Sequence, residues 1–141
     1  MLRLLALVTA LLVSLPAAAV SCGGQQSAER AYSSAQEVFS AHVDEIYSAP
    51  AFGRDDFNFA RLRILQVWKG HLGPGDVVST TAEDSISFVS DGFVPHQGTD
   101  VLVYTSGAQP FVLGICSGSA PLDRTGDTAS LERLSKREHG R

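Results

Sequence analysis

The segment that most constrains the fold of this chain is residues 61–70, Arg-Leu-Arg-Ile-Leu-Gln-Val-Trp-Lys-Gly. Beyond residue 19 it is the densest run of large apolar side chains, and the turn sequence Gly73-Pro74-Gly75 follows it closely. Its apolar residues point to both faces, which is typical of a long, bent strand that is mostly buried. The segment predicts a central strand over residues 57–68, which ends in a tight turn. The apolar side chains of the run are Leu62, Ile64, Leu65, Val67 and Trp68.

Residues 1–19 are a different kind of sequence. Arg3 is their only charge, residues 4–15 are almost entirely apolar, and the stretch ends in Ala17-Ala18-Ala19. A short positive start, a short apolar run and a small-residue cleavage site are typical of a secretory signal peptide. An N-terminal membrane anchor is the alternative, but the run is shorter than the roughly 20 residues of a membrane span. We therefore predict cleavage after Ala19 and a secreted or periplasmic (extracytoplasmic) protein.

The mature chain, residues 20–141, is long enough for one domain with one modest hydrophobic core. Without Arg3 it carries 10 Lys and Arg residues against 15 Asp and Glu residues, a formal net charge of −5. A surface that binds phosphates needs the opposite balance. The cations are also scattered, apart from a small cluster at the C-terminus, so we expect no nucleic-acid partner.

Two short helices are predicted, one near each end of the mature chain. Ser27 is a good N-cap for a helix over residues 27–35, where small and aromatic residues recur at helical spacing. Residues 128–136 predict a second helix with two inward-facing leucines. Residues 137–141 form a polar tail that we expect to fray.

Between these helices, short segments with a period of two or with β-branched residues alternate with turns rich in Gly, Pro and Asp. Residues 48–56 contain Pro50, Gly53 and three charges, so we interpret them as a surface loop. The predicted strands are residues 37–47, 57–68, 77–81, 86–89, 100–105 and 111–116. The expected core includes Phe39, Val43, Ile64, Val67, Val101 and Val103.

The number and spacing of these strands indicate the fold class. Strands at short spacing, with helices only near the ends, are typical of a β-sandwich or a small barrel. A long second strand among five principal strands fits a Greek-key barrel of the OB type. We therefore expect an all-β protein, a five- to six-stranded OB-type barrel with short N- and C-terminal helices.

The sequence contains no set of residues with catalytic or metal-binding spacing. The adjacent carboxylates Asp44-Glu45 are a poor acid–base pair, because neighbouring side chains on a strand point to opposite faces. No Gly-x-Ser-x-Gly context surrounds a serine. The histidines are far apart, so three converging metal ligands are not indicated. We predict no catalytic residues, no metal site and no cofactor. The four histidines are His42, His71, His96 and His139.

Trp68 is the only tryptophan of the chain, and its position leaves two interpretations open. It is a possible binding-face aromatic residue, because OB barrels often bind ligands with aromatic side chains. The other interpretation, a core aromatic at the end of the longest strand, is the favoured one.

Several short motifs occur in an informative order. They are Cys22, Val38-Phe39-Ser40-Ala41-His42-Val43, Val67-Trp68-Lys69-Gly70, Val101-Leu102-Val103-Tyr104 and the closing Cys116-Ser117-Gly118-Ser119-Ala120-Pro121-Leu122. In this order the chain resembles the bacterial branch of the tissue-inhibitor-of-metalloproteinases-like, or netrin-like, OB-fold proteins. The resemblance covers nearly all of residues 20–141 and implies an OB-fold domain.

The resemblance implies a disulfide between Cys22 and Cys116. The family usually has two cysteine pairs, and the positions of its other pair correspond here to Val20 and Asp91. An even number of cysteines in an exported chain also favours a disulfide. Two free thiols are one alternative. A lipidated Cys22 is another, because Ala19-Val20-Ser21-Cys22 resembles a loose bacterial lipobox.

The resemblance also implies a function. Inhibitors of this family contact a protease through the mature N-terminus, here Val20, Ser21 and Cys22, and chelate the protease zinc. Because the clamping disulfide at Val20 is missing, ordering this terminus would cost entropy on binding, and we expect weak inhibition at best. We expect an exported, non-enzymatic protein-binding module that binds another exported protein, a protease or an envelope component. The alternative is an envelope-anchored lipoprotein of structural or interaction role, which contacts the membrane only if Cys22 is lipidated.

Overall fold

The computed structural model describes residues 27–83, 93–114 and 116–140, and within them the dominant element is one antiparallel sheet. Its strands, in the spatial order β3-β2-β1-β4-β5, form an all-β-like architecture with one short helix at each end, as predicted. The sheet order is open between β3 and β5. The elements are α1 (Ala28–Ser34), β1 (Glu37–Ala51), β2 (Arg54–Lys69), β3 (Val77–Thr81), β4 (Asp100–Thr105), β5 (Ala120–Pro121), a 3-10 turn (Leu122–Arg124) and α2 (Thr128–His139).

The ladder between β1 and β2 is the longest strand pairing of the sheet. It contains the predicted central strand and runs from Val38 opposite Lys69 to Ala51 opposite Arg54. The predicted loop at residues 48–56 is wrong, because both strands continue through it to a two-residue turn at 52–53. Cross-strand pairing, which a local pattern does not report, outweighs the proline and the charges of this segment.

Both faces of the sheet are covered by apolar contacts. Successive residues of β1 and β4 point to opposite sides, so that Phe39 and Val103 enter one core while Val38 and Leu102 enter another. The first core confirms the predicted burial of Phe39, Val43, Ile64, Val101 and Val103. Val67 is partly buried and packs against the same core.

The second core lies between the sheet and the two helices. Ser27 caps α1, since its hydroxyl accepts a hydrogen bond from the Arg30 N–H at 3.3 Å. In α2 the side chain of Leu131 is fully buried. The prediction of a frayed tail from residue 137 is wrong as far as His139, because α2 continues to that residue. Arg141 lies outside the described residues.

The last predicted strand, residues 111–116, is also wrong. Phe111 forms only an isolated parallel bridge to Thr80, and β4 pairs instead with Ala120–Pro121. Ser119 completes this pairing with its side chain, because its hydroxyl accepts from the Tyr104 N–H at 3.0 Å and donates to the Tyr104 carbonyl at 3.3 Å. The weak strand predicted at residues 86–89 lies outside the described residues.

None of the helices in the described ranges is both long enough and apolar enough to span a membrane. Residues 1–19, the predicted signal peptide, lie outside these ranges.

Candidate functional site

The predicted N-terminal contact residues Val20, Ser21 and Cys22 lie outside the described residues. Cys116 is described, and it lines a small cavity of about 260 Å³ together with Ala31 and Ser34 of α1 and with Ala35, which follows the helix. The disulfide between Cys22 and Cys116 stays a prediction.

Trp68 lies in the second core, and only 3% of its surface is exposed. Its indole N–H donates to Glu132 Oε1 at 3.0 Å, and the Gln66 amide donates to the same oxygen at 2.6 Å. These hydrogen bonds hold the pKa of Glu132 below its ordinary value. Of the two interpretations that the sequence leaves open, the structure places Trp68 in the core, where it connects β2 to α2.

Two buried tyrosines connect the helices to the sheet in the same way. The Tyr32 hydroxyl lies 2.5 Å from Glu138 Oε2 and 3.0 Å from the Trp68 carbonyl. The Tyr104 hydroxyl donates to Asp127 Oδ2 at 2.8 Å. Burial, followed by these hydrogen bonds, raises the pKa of both tyrosines well above the ordinary value. The two carboxylates thus act as acceptors that hold the helical layer in place.

The adjacent carboxylates Asp44 and Glu45 point to the same face, contrary to the expectation for neighbours on a regular strand. Asp44 forms a two-contact ion pair with Arg63, at 3.2 and 2.7 Å, and Glu45 pairs with Arg61 at 2.5 Å. A register shift between Val43 and Glu45 explains this, because it inserts one extra residue into β1. The hydrogen bond to Arg63 lowers the pKa of Asp44. The bulge therefore turns an acidic pair into two compensated ion pairs.

An open groove of about 780 Å³ lies beside Asp100, the first residue of β4. Asp100 on its wall is engaged by His42, with Nδ1 and Oδ1 2.6 Å apart. Its lining mixes apolar side chains with charged side chains of both signs. The residues around the groove are Phe93, Val94, His96, Thr99, Asp100, Pro121, Leu122, Asp123 and Arg124.

The most unusual surface feature is the far end of the β1–β2 hairpin, residues 48–58, which we term the hairpin arm. β3 pairs with β2 only over residues 59–63, and β4 pairs with β1 only as far as His42. At its tip Phe52 is 57% exposed, the largest exposed fraction among the exposed large apolar side chains of the described residues. The interpretation of residues 48–56 as a loop did not predict this feature. The signal was the Phe52-Gly53 pair between two strand-like segments.

The described residues contain no group of three or more His, Cys, Asp or Glu side chains that could hold a metal ion together. The expectation that the whole chain needs no metal or cofactor stays a prediction. Comparison with known proteins adds no assignment: no family model matches the chain, and no curated protein matches it.

Proposed function

We propose that this protein is an exported, non-enzymatic protein-binding module. The observation that carries the proposal is the hairpin arm. It extends beyond the ends of its pairing with β3 and β4, and it exposes the aromatic side chain of Phe52 to solvent. Exposed aromatic residues on a rigid support are the usual anchors of protein–protein interfaces. The proposal as a whole combines this surface with the signal-like residues 1–19.

The scaffold of the proposed module is a Greek-key barrel of the OB type. Its support is the contact between β3 and the chain that follows β4. The Phe111 N–H donates to the Ser79 carbonyl at 2.8 Å, and the Thr81 N–H donates to the Phe111 carbonyl at 2.8 Å. This parallel contact links the edge strand β3 to the segment that follows β4, and it supports the proposal that the sheet closes into a small barrel.

The non-enzymatic part of the proposal is supported by how the fold uses its acid–base groups. Glu132, Glu138 and Asp127 accept hydrogen bonds from buried side chains that hold the helices on the sheet. Asp44 and Glu45 are engaged by arginines. These five carboxylates are engaged by other side chains, whereas a catalytic carboxylate needs to face a substrate. Asp100, which lines the groove, is likewise engaged by His42.

The binding proposal is tested with the purified mature protein as bait in the exported fraction of its source cells. We expect a saturable, stoichiometric complex with another exported protein. We also expect that this protein catalyses no reaction on its partner. A bait that retains nothing above the level of an unrelated β-sheet protein would overturn the proposal.

Metalloproteinase inhibition is tested separately, by titration against a panel of zinc proteases. We expect weak inhibition at best, because Val20 and Asp91 stand where the resemblance places a clamping disulfide. Nanomolar inhibition by the unmodified protein would contradict this. A Val20→Cys, Asp91→Cys double variant should inhibit better than the wild type if the clamp matters.

The second candidate is an envelope-anchored lipoprotein, favoured by the lipobox-like Ala19-Val20-Ser21-Cys22. The mass of the mature N-terminal peptide decides between the two. A plain start at Val20 supports the exported module, and a diacylglyceryl Cys22 supports the lipoprotein.

A further inference from the structure

The backbone at the tip of the hairpin arm is in a conformation that its sequence does not favour. Phe52 has φ +52° and Gly53 has φ +77°. Two-residue hairpin loops with positive φ at both positions favour Asn-Gly or Asp-Gly. A bulky residue at the first of these positions is a true outlier, and such strain concentrates at functional sites. Stability alone does not account for phenylalanine at position 52.

Contacts beneath the tip hold the Phe52 ring in one place. It meets Phe57 edge-on, with the ring centroids 4.8 Å apart, and Phe57 packs in turn on Phe59 at 5.0 Å. The Arg54 guanidinium lies 5.7 Å from the centre of the Phe57 ring and pairs with Glu83 at 2.5 Å. The second Glu83 oxygen accepts from the Asn58 N–H at 3.0 Å. The exposed ring is therefore preorganised, which lowers the entropy lost on binding.

The charges around the ring are mainly negative. Arg54 is compensated by Glu83 and lies 3.4 Å from Asp56. Asp55 and Asp56 are both exposed beside the tip. A partner that receives Phe52 thus meets one apolar ring bordered by carboxylates.

We propose that the tip of the hairpin arm is the docking element of this module, and that Phe52 inserts into an apolar pocket with a basic rim on an exported partner protein. This inference rests on the proposed function and names the contact surface and the chemistry of the partner. The carboxylates of Asp55 and Asp56 steer the tip toward the basic rim of the partner. The Phe52 ring, once buried in the partner's pocket, supplies most of the binding free energy.

The first experiment locates the contact by photo-crosslinking in the exported fraction. The photoreactive residue p-benzoylphenylalanine replaces Phe52 in one variant and Leu65 in a control. Leu65 is 46% exposed and lies thirteen residues after Phe52, up to about 35 Å from Arg54, the first residue of β2. We expect one discrete adduct from position 52 and none from position 65.

The second experiment uses the captured protein, purified, and compares matched variants. Phe52→Asn should raise the Kd by about 30-fold or more, the loss typical of a hot-spot residue. Its unfolding midpoint should stay within about 5 °C of the wild type, because asparagine tolerates the positive φ. Leu65→Asn should leave the Kd unchanged. Asp55→Asn should slow association and weaken its dependence on salt.

The possible outcomes distinguish failure of the docking inference from failure of the proposed binding function. An adduct from position 65 but not from 52, or equal affinity of Phe52→Asn and wild type, overturns the docking role of the tip and leaves the binding function standing. A self-adduct of two copies from position 52 replaces the proposed partner by a second copy of this chain and also overturns the inference. Absence of an adduct from both positions overturns the docking role, and a bait that retains no partner rejects the binding function with it.

Discussion

The carboxylate of Glu37 occupies the space that a side chain on Gly70 would need. A Cβ atom built on Gly70 would lie 1.7 Å from Glu37 Oε2, and Gly70 has φ +111°. The two oxygens of Glu37 accept from the His71 N–H at 3.2 and 3.1 Å. Glu37 begins β1 and Gly70 follows β2, so this contact fixes the turn at the end of the central ladder.

We predict that Gly70→Ala lowers the free energy of unfolding by about 2 kcal/mol, from backbone strain together with the loss of the His71 N–H hydrogen bond when the Glu37 carboxylate is displaced. Gly75→Ala is the matched control, because Gly75 also has positive φ (+90°) but has open space where an added Cβ would lie. It should lose about 1 kcal/mol, from strain alone. Urea unfolding of both variants measures the difference, and equal losses would show that the Glu37 contact is unimportant.

The buried hydroxyl of Thr80 leads to a prediction of increased stability. Thr80 is fully buried, and its Oγ1 has no hydrogen-bond partner among the described residues. Thr80→Val removes this unpaired group with little change in shape and should raise the free energy of unfolding by about 1 kcal/mol.

Thr81→Val is the control for this prediction. The neighbouring Thr81 is as deeply buried, but its hydroxyl accepts from the Leu113 N–H at 3.0 Å. Its replacement should lower stability by about 1–2 kcal/mol, because the Leu113 N–H loses its partner. Denaturant unfolding of both variants tests the pair, and a loss in Thr80→Val would contradict it.

We predict that the lowered pKa of Glu132 makes the free energy of unfolding depend on pH. Hydrogen bonds from Trp68 and Gln66 lower the pKa of Glu132 in the folded state. A lowered folded-state pKa contributes stability that is present above the unfolded-state pKa and is lost as the pH falls through the folded-state value. Glu132→Gln should therefore be less stable than the wild type at pH 7, and the gap should narrow on acidification toward pH 3. Thermal unfolding across this range measures the gap, with the exposed Glu29→Gln as a charge control. A gap that is constant with pH would contradict the prediction.

The predicted disulfide has a direct chemical test. Alkylation of the intact, denatured protein without reductant should add no mass, and alkylation after reduction should add two groups. Closing the loop between Cys22 and Cys116 is worth about 4–5 kcal/mol by the loop-entropy estimate, so reduction should lower the unfolding midpoint clearly. Two alkylated thiols before reduction would exclude the bond.

Several elements follow from local sequence alone. The short strands Val77–Thr81 and Asp100–Thr105 agree with the prediction, because β-branched and aromatic residues lie between clear turn signals. The start of α1 follows from the Ser27 cap. The burial of Phe39 and Ile64 follows from the apolar periodicity of their strands. In each case the decisive information lies within a few residues of the element.

Tertiary structure decided the features that depend on residues far apart in the sequence. The hairpin arm exists because residues 48–51 pair with residues 54–58, and this pairing overrides the loop-like composition. A bulge in β1, visible only in the register with β2, brings Asp44 and Glu45 to the same face. The edge of β4 is taken by Ala120–Pro121 rather than by the more apolar residues 111–116. Sequence periodicity reports which side chains prefer burial, whereas register, bulges and strand partners are set by the summed free energy of contacts between distant segments.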